Sequence, residues 1–150
     1  MTAPESTNNR EMAQVRPALP FALVLGTFAG VVVLVYLLAY LALRFFGFDY
    51  GSAIFDVAPL FGALMASWQC AKSYRFTLTN VDYWILIVGC LVIETGISAL
   101  VISQFNPRVL AMYLTILPMR LGLHLLALMY LYSDKRMARQ IAPLASGRKK

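Results

Sequence analysis

The chain has 150 residues, enough for one domain, but 60% of them are hydrophobic and only 13% are charged, against about 45–50% apolar and about 25% charged in soluble domains. Of the 20 charged residues, 11 fall in residues 1–18 and 133–150, and the nine others cannot give the 114 residues between them a water-facing surface. These numbers exclude a soluble globular protein and predict an all-α membrane protein, a four-transmembrane-helix bundle.

Residues 1–18 form an N-terminal tail in which Arg10 and Arg16 offset Glu5 and Glu11. The transmembrane domain follows over residues 19–132. A helix rising 1.5 Å per residue needs about 20 apolar residues to cross a hydrocarbon core of about 30 Å. The stretch 21–43 supplies 23 without a charge, too long for the apolar region of a cleavable signal peptide. A second span is expected over about 50–71. It carries Asp56 in its first turns, where the helix dipole favours an anion, and Pro59 where a missing backbone donor is tolerated. Spans three and four run over about 83–103 and 109–132, joined by the short turn Gln104-Phe-Asn-Pro-Arg108, so they form an antiparallel hairpin. Residues 133–150 are a basic tail in which Lys135, Arg136, Arg139, Arg148, Lys149 and Lys150 outweigh Asp134.

Four spans put both tails and the 72–82 loop on one face. That face carries Arg10, Arg16, Lys72, Arg75 and the six basic tail residues, whereas the other has only Arg44 and Arg108. This asymmetry places both termini in the cytoplasm. The basic tail then meets anionic lipid of the bilayer, and no nucleic-acid module accompanies the charge. Aromatic side chains are expected at the headgroup levels, Tyr50 and Phe105 on the outer side, Trp68, Tyr74, Trp84 and Tyr132 on the inner. Cys70 and Cys90, about 9 Å apart along the axis if spans two and three pair, read as packing residues and not as a disulfide.

Two packing motifs stand out. Gly26 and Gly30 make a GxxxG pair in the first span, and Ala58, Gly62, Ala66 and Cys70 place a small residue at every fourth position of the second. Such faces let helix backbones approach closely where lipid supplies no hydrophobic drive. Packing inside the bundle is the first expectation, and contact with a membrane-protein partner or a homo-oligomer the second.

The polar residues deepest in the spans are Glu94, Arg120 and His124. Glu94 and Arg120 both fall near the bilayer midplane. Folding the hairpin about residue 106 sets Glu94 opposite residue 118, about 3 Å from the level of Arg120. An unpaired charge at that depth is costly, so the expectation is a Glu94–Arg120 ion pair with His124, one turn on, as a further hydrogen-bond partner. Pro118 loosens the fourth helix beside it. A purely structural role leads, ahead of a partner or ligand site and of proton conduction.

No nucleophile–base pair and no phosphate-binding loop occurs, and a single histidine cannot make a two-histidine metal site. The reading is therefore not an enzyme and without a cofactor. Residues Gly47 to Ser103, with the entry GFDYGSA, a small-residue helix ending AKSYRF, a short polar loop and another apolar helix, resemble small uncharacterised four-helix inner-membrane proteins of bacteria. The resemblance implies a bacterial inner membrane. Three functions fit a compact bundle with short loops: an accessory, assembly or partner-binding subunit, an immunity-type protein against a membrane-acting toxin, and a small oligomeric transporter or proton-coupled protein.

Overall fold

The computed structural model describes residues 18–48, 53–74, 78–104 and 107–146. Arg10, Arg16, Tyr50, Arg75, Phe105, Arg148, Lys149 and Lys150 lie outside the described residues, as does the side chain of Arg108. Five helices follow in order: α1 (Phe21–Phe46), α2 (Ile54–Tyr74), α3 (Asn80–Ser103), α4 (Pro107–Leu131) and α5 (Asp134–Ser146). No strand forms among the described residues. The first four contain the segments Phe21–Phe46, Ile54–Tyr74, Asn80–Ser103 and Tyr113–Leu131, each long and apolar enough to cross a membrane, so the described residues hold four helices that can serve as the expected spans.

Local chemistry sets the helix ends. Gly47 closes α1 in the left-handed conformation at φ 69°, which costs glycine nothing, and its N–H reaches the Leu43 carbonyl at 3.1 Å. The Thr79 hydroxyl caps α3 by accepting the Asp82 N–H at 3.2 Å, and it donates to the Asp82 carboxylate at 2.8 Å. This cap starts α3 three residues before the expected residue 83. Within the spans, Thr27, Thr95 and Thr115 donate to the carbonyls of Leu23, Leu91 and Ala111 at 2.8–3.0 Å. Each hydroxyl is thus satisfied by its own helix, as an apolar solvent demands.

The four spans run antiparallel in succession. Contacts join α1 to α2 and α3, and α4 to α2 and α3, so α1 and α4 face each other diagonally and the order around the bundle is α1, α2, α4, α3. One end carries the α1–α2 and α3–α4 connections and is called the connection end below. The other carries α5.

The small-residue face of α2 lies where it is expected. Ala58, Gly62, Ala66 and Cys70 are buried, together with Val24, Phe28 and Val32 of α1. A Cβ on Gly62 would fall 2.8 Å from Val32 Cγ2 and 3.1 Å from the Phe28 carbonyl oxygen, so the two helices touch there backbone against side chain. The GxxxG pair does the opposite. Gly26 and Gly30 are exposed, and nothing lies within 4 Å of a Cβ built on either. Spacing alone does not say which way a motif faces, and on α1 the inward positions go to Val24, Phe28 and Val32.

Two further expectations change. Trp68 and Trp84 are about half exposed, as headgroup anchors should be, but Tyr74 and Tyr132 are buried in the core. The start of the basic tail is the helix α5, and it packs on α2 and α4. Its Met137 is fully buried and Ile141 joins the same core, while Lys135 and Arg139 are exposed. Arg136 lies partly buried with its guanidinium 5.8 Å from the Tyr130 ring centre, within range of a cation–π attraction. Cys70 and Cys90 are unpaired and buried.

Candidate functional site

The first turn of α2, the middle of α3 and the middle of α4 bring four ionisable side chains together. Arg120 donates from Nε to Asp56 Oδ1 at 2.7 Å. His124 Nδ1 and Glu94 Oε1 share a short hydrogen bond, and His124 Nε2 faces Asp56 Oδ1 at 3.8 Å. The series therefore runs Arg120, Asp56, His124, Glu94 and ties three helices together. The side chains of Glu94, His124 and Arg120 are 4%, 2% and 9% exposed, whereas that of Asp56 is 45% exposed, so the network opens to its surroundings at Asp56.

The three residues singled out from the sequence are thus neighbours, but the expected pairing is wrong. Arg120 bonds Asp56, and Glu94 bonds His124. Counting α-carbons along the hairpin ignores the lean of helical side chains toward their own N-termini. In an antiparallel pair, Arg120 leans toward the connection end and meets Asp56, whereas Glu94 leans the other way and meets His124 one turn deeper. The sequence places Asp56 nearer the outer face, as an anion at a helix N-terminus and the only further acidic group for a proton relay. The signal that could have found it was charge balance, because it is the one other acidic residue within the four spans expected from the sequence.

A shell of aromatic and hydroxyl groups surrounds the guanidinium. Its Cζ lies 5.6 Å from the Phe55 ring centre and 5.3 Å from that of Tyr113, within range of a cation–π attraction. Phe55 also packs on Tyr36 and Tyr113, with centroids 5.5 and 6.2 Å apart. The Tyr36 hydroxyl is hydrogen-bonded to Ser98 Oγ at 3.1 Å, which brings α1 to α3 at this level. All four spans therefore contribute polar groups to the connection half of the bundle.

Several polar atoms of the network have no further protein partner: Glu94 Oε2, Arg120 Nη2 and His124 Nε2 are buried without a hydrogen bond. The gap beside Glu94 and His124, bounded by Phe28, Pro59, Leu60, Ala63, Ala127 and Leu128, is too narrow to admit a water molecule. Toward the α5 end the interior is closed by Ile87, Cys90, Leu128 and Tyr132, all buried. Among the described residues no group of three or more His, Cys, Asp and Glu side chains is placed to hold a metal ion. The arrangement can hold charge and protons across three helices.

No protein-family model, curated protein or solved structure matches the chain. The functional reading therefore rests on the geometry of this network and of the helix faces around it.

Proposed function

We propose that the protein is a non-enzymatic, multi-pass accessory or partner-binding subunit of the bacterial inner membrane, acting through its helix faces within the bilayer. The observation that carries this reading is the closure of the polar interior. Asp56, Glu94, Arg120 and His124 engage one another, and among the described residues the gap beside Glu94 and His124 does not admit water, which favours contact through the helix faces over passage of a solute. What remains for contact is the outside of the spans. There Gly26 and Gly30 are uncovered, beside the exposed Leu23, Val33, Leu34 and Leu37, and a GxxxG stripe of this kind permits close approach of a second helix.

Site-specific photo-cross-linking in intact membranes tests the proposal. A photoreactive residue at Gly30 gives a discrete adduct, with another membrane protein or with a second copy of the chain, and one at the equally apolar Leu126 on the outside of α4 gives none. Adducts from neither position, together with ion or solute flux in proteoliposomes, would overturn it.

Both termini face the cytoplasm in this reading, with the exposed Lys135 and Arg139 of α5 against anionic lipid at about 1 kcal/mol per residue near the surface. A reporter fused after Lys150 is then active only in the cytoplasm, and one inserted between Gln104 and Pro107 only on the far side. Activity of both on one side excludes the orientation and the span count together.

A further inference from the structure

The charges of the network do not balance without one more proton. Asp56 and Glu94 supply two carboxylates and Arg120 one cation that stays protonated in proteins, so with a neutral imidazole the cluster carries one net negative charge. An uncompensated charge in an apolar interior is strongly disfavoured. Adding one proton to His124 makes the cluster neutral.

The geometry gives that proton a place and a path. His124 is the only histidine of the chain, and its ring is held at both ends: Nδ1 against Glu94 Oε1, and Nε2 facing Asp56 Oδ1 at 3.8 Å. Asp56 is itself fixed by Arg120 at 2.7 Å and has nearly half its side chain exposed. On the other side of the ring, Ala63, Cys90 and Leu128 are buried and leave no room for water. The titratable and charged groups around His124 are Tyr36 on α1, Asp56 on α2, Glu94 and Cys90 on α3, and Tyr113 and Arg120 on α4. Of these, Tyr36 is engaged with Ser98 and Tyr113 lies against the guanidinium, so the two carboxylates are the groups that meet the imidazole.

We propose that Glu94, His124 and Asp56 form a binding site for a single exchangeable proton, filled and emptied from the connection end of the bundle. In the filled state the imidazolium donates from Nδ1 to Glu94, and its Nε2–H points to Asp56. Closing the 3.8 Å gap by about 1 Å, to ordinary hydrogen-bond length, lets the Nε2 proton pass to Asp56 Oδ1 and from there to water. A neutral imidazole remains, still donating from Nδ1 to Glu94, and the cluster is left with one negative charge. Uptake is the reverse, and no other group changes its proton. The site is independent of the partner-binding reading, since it requires no second protein.

Because there is one histidine, nitrogen NMR of the full chain, labelled with 15N-histidine and reconstituted in lipid bilayers, reads this site alone. In the filled state the wild type shows both ring nitrogens protonated. By charge count, either E94Q or D56N leaves the cluster neutral without the proton, so each loses the doubly protonated signal, whereas E94D retains it. In vesicles whose orientation is established by protease access to the α5 end, raising the pH on the connection side discharges His124 and raising it on the α5 side does not. A neutral imidazole in the wild type, a doubly protonated ring in both E94Q and D56N, or discharge from the α5 side would each refute the proposal. The wild-type spectrum and the sidedness measurement need no substitution, so the test survives a variant that fails to fold.

Discussion

Arg120→Leu lowers the stability of the bundle by about 1.5–3 kcal/mol, the range of a hydrogen bond to a charged group and below that of a fully buried pair because Asp56 is half exposed, as measured by reversible unfolding in mixed micelles. The loss arises because Arg120 is the one permanently protonated cation of the network, and without it Asp56 and Glu94 face each other across one imidazole. Asp56→Asn alone costs less, since the amide can still accept from Arg120 Nε and the side chain reaches outward. The double variant Asp56→Asn with Arg120→Leu is then milder than the two losses summed, by about 1 kcal/mol or more, within the range of coupling between residues in contact. The cycle also separates the observed pairing from the one that hairpin register suggests. Coupling between Asp56 and Arg120 exceeds coupling between Glu94 and Arg120, because Arg120 bonds the first and not the second. The reverse order of coupling energies refutes the geometry of the network.

That comparison shows how far residue types and spacing reach. The four spans were legible because the physics behind them is one-dimensional: an apolar run is long enough to cross a bilayer or it is not, and the charges mark its ends. The composition of the site was largely legible as well, since Glu94, Arg120 and His124 are expensive where they lie. Who pairs with whom was not, because pairing depends on the lean of each side chain and on the order of helices around the bundle. Sequence order sets α2 beside α3, whereas the structure sets α2 between α1 and α4, and that placement carries Asp56 to Arg120. Helix α5 was obscured for a different reason. Its basic residues dominate the composition of the tail, although Met137 and Ile141, four apart, give it one apolar side to bury. Tyr132 differs in the same way: its position fits a headgroup anchor, but it is fully buried beside Cys70 and Cys90.

The two glycine motifs give opposite outcomes under one chemical change, and this tests which of them holds the bundle together. Replacing glycine by alanine inside a helix favours the helix by up to about 1 kcal/mol, from backbone entropy alone. At Gly30 nothing lies within 4 Å of the added carbon, so in the isolated chain Gly30→Ala is neutral or stabilising and Gly30→Val changes stability little. At Gly62 the added carbon meets Val32 Cγ2 at 2.8 Å and the Phe28 carbonyl oxygen at 3.1 Å. The valine methyl can turn aside, but the carbonyl moves only if α1 moves. Gly62→Ala therefore forfeits the propensity gain and is net destabilising. Gly62→Val, which pushes two more methyl groups into the same contact, costs about 1–3 kcal/mol, as overpacking does in tight cores, and loosens α1 first. Unfolding in mixed micelles measures both series, and cross-linking between cysteines placed at Val32 and Ala66 follows the α1–α2 contact directly. Equal losses at Gly30 and Gly62 would mean that both glycines are buried in the working bundle, and a tolerated Gly62→Val would mean that α1 does not seat on the small-residue face of α2.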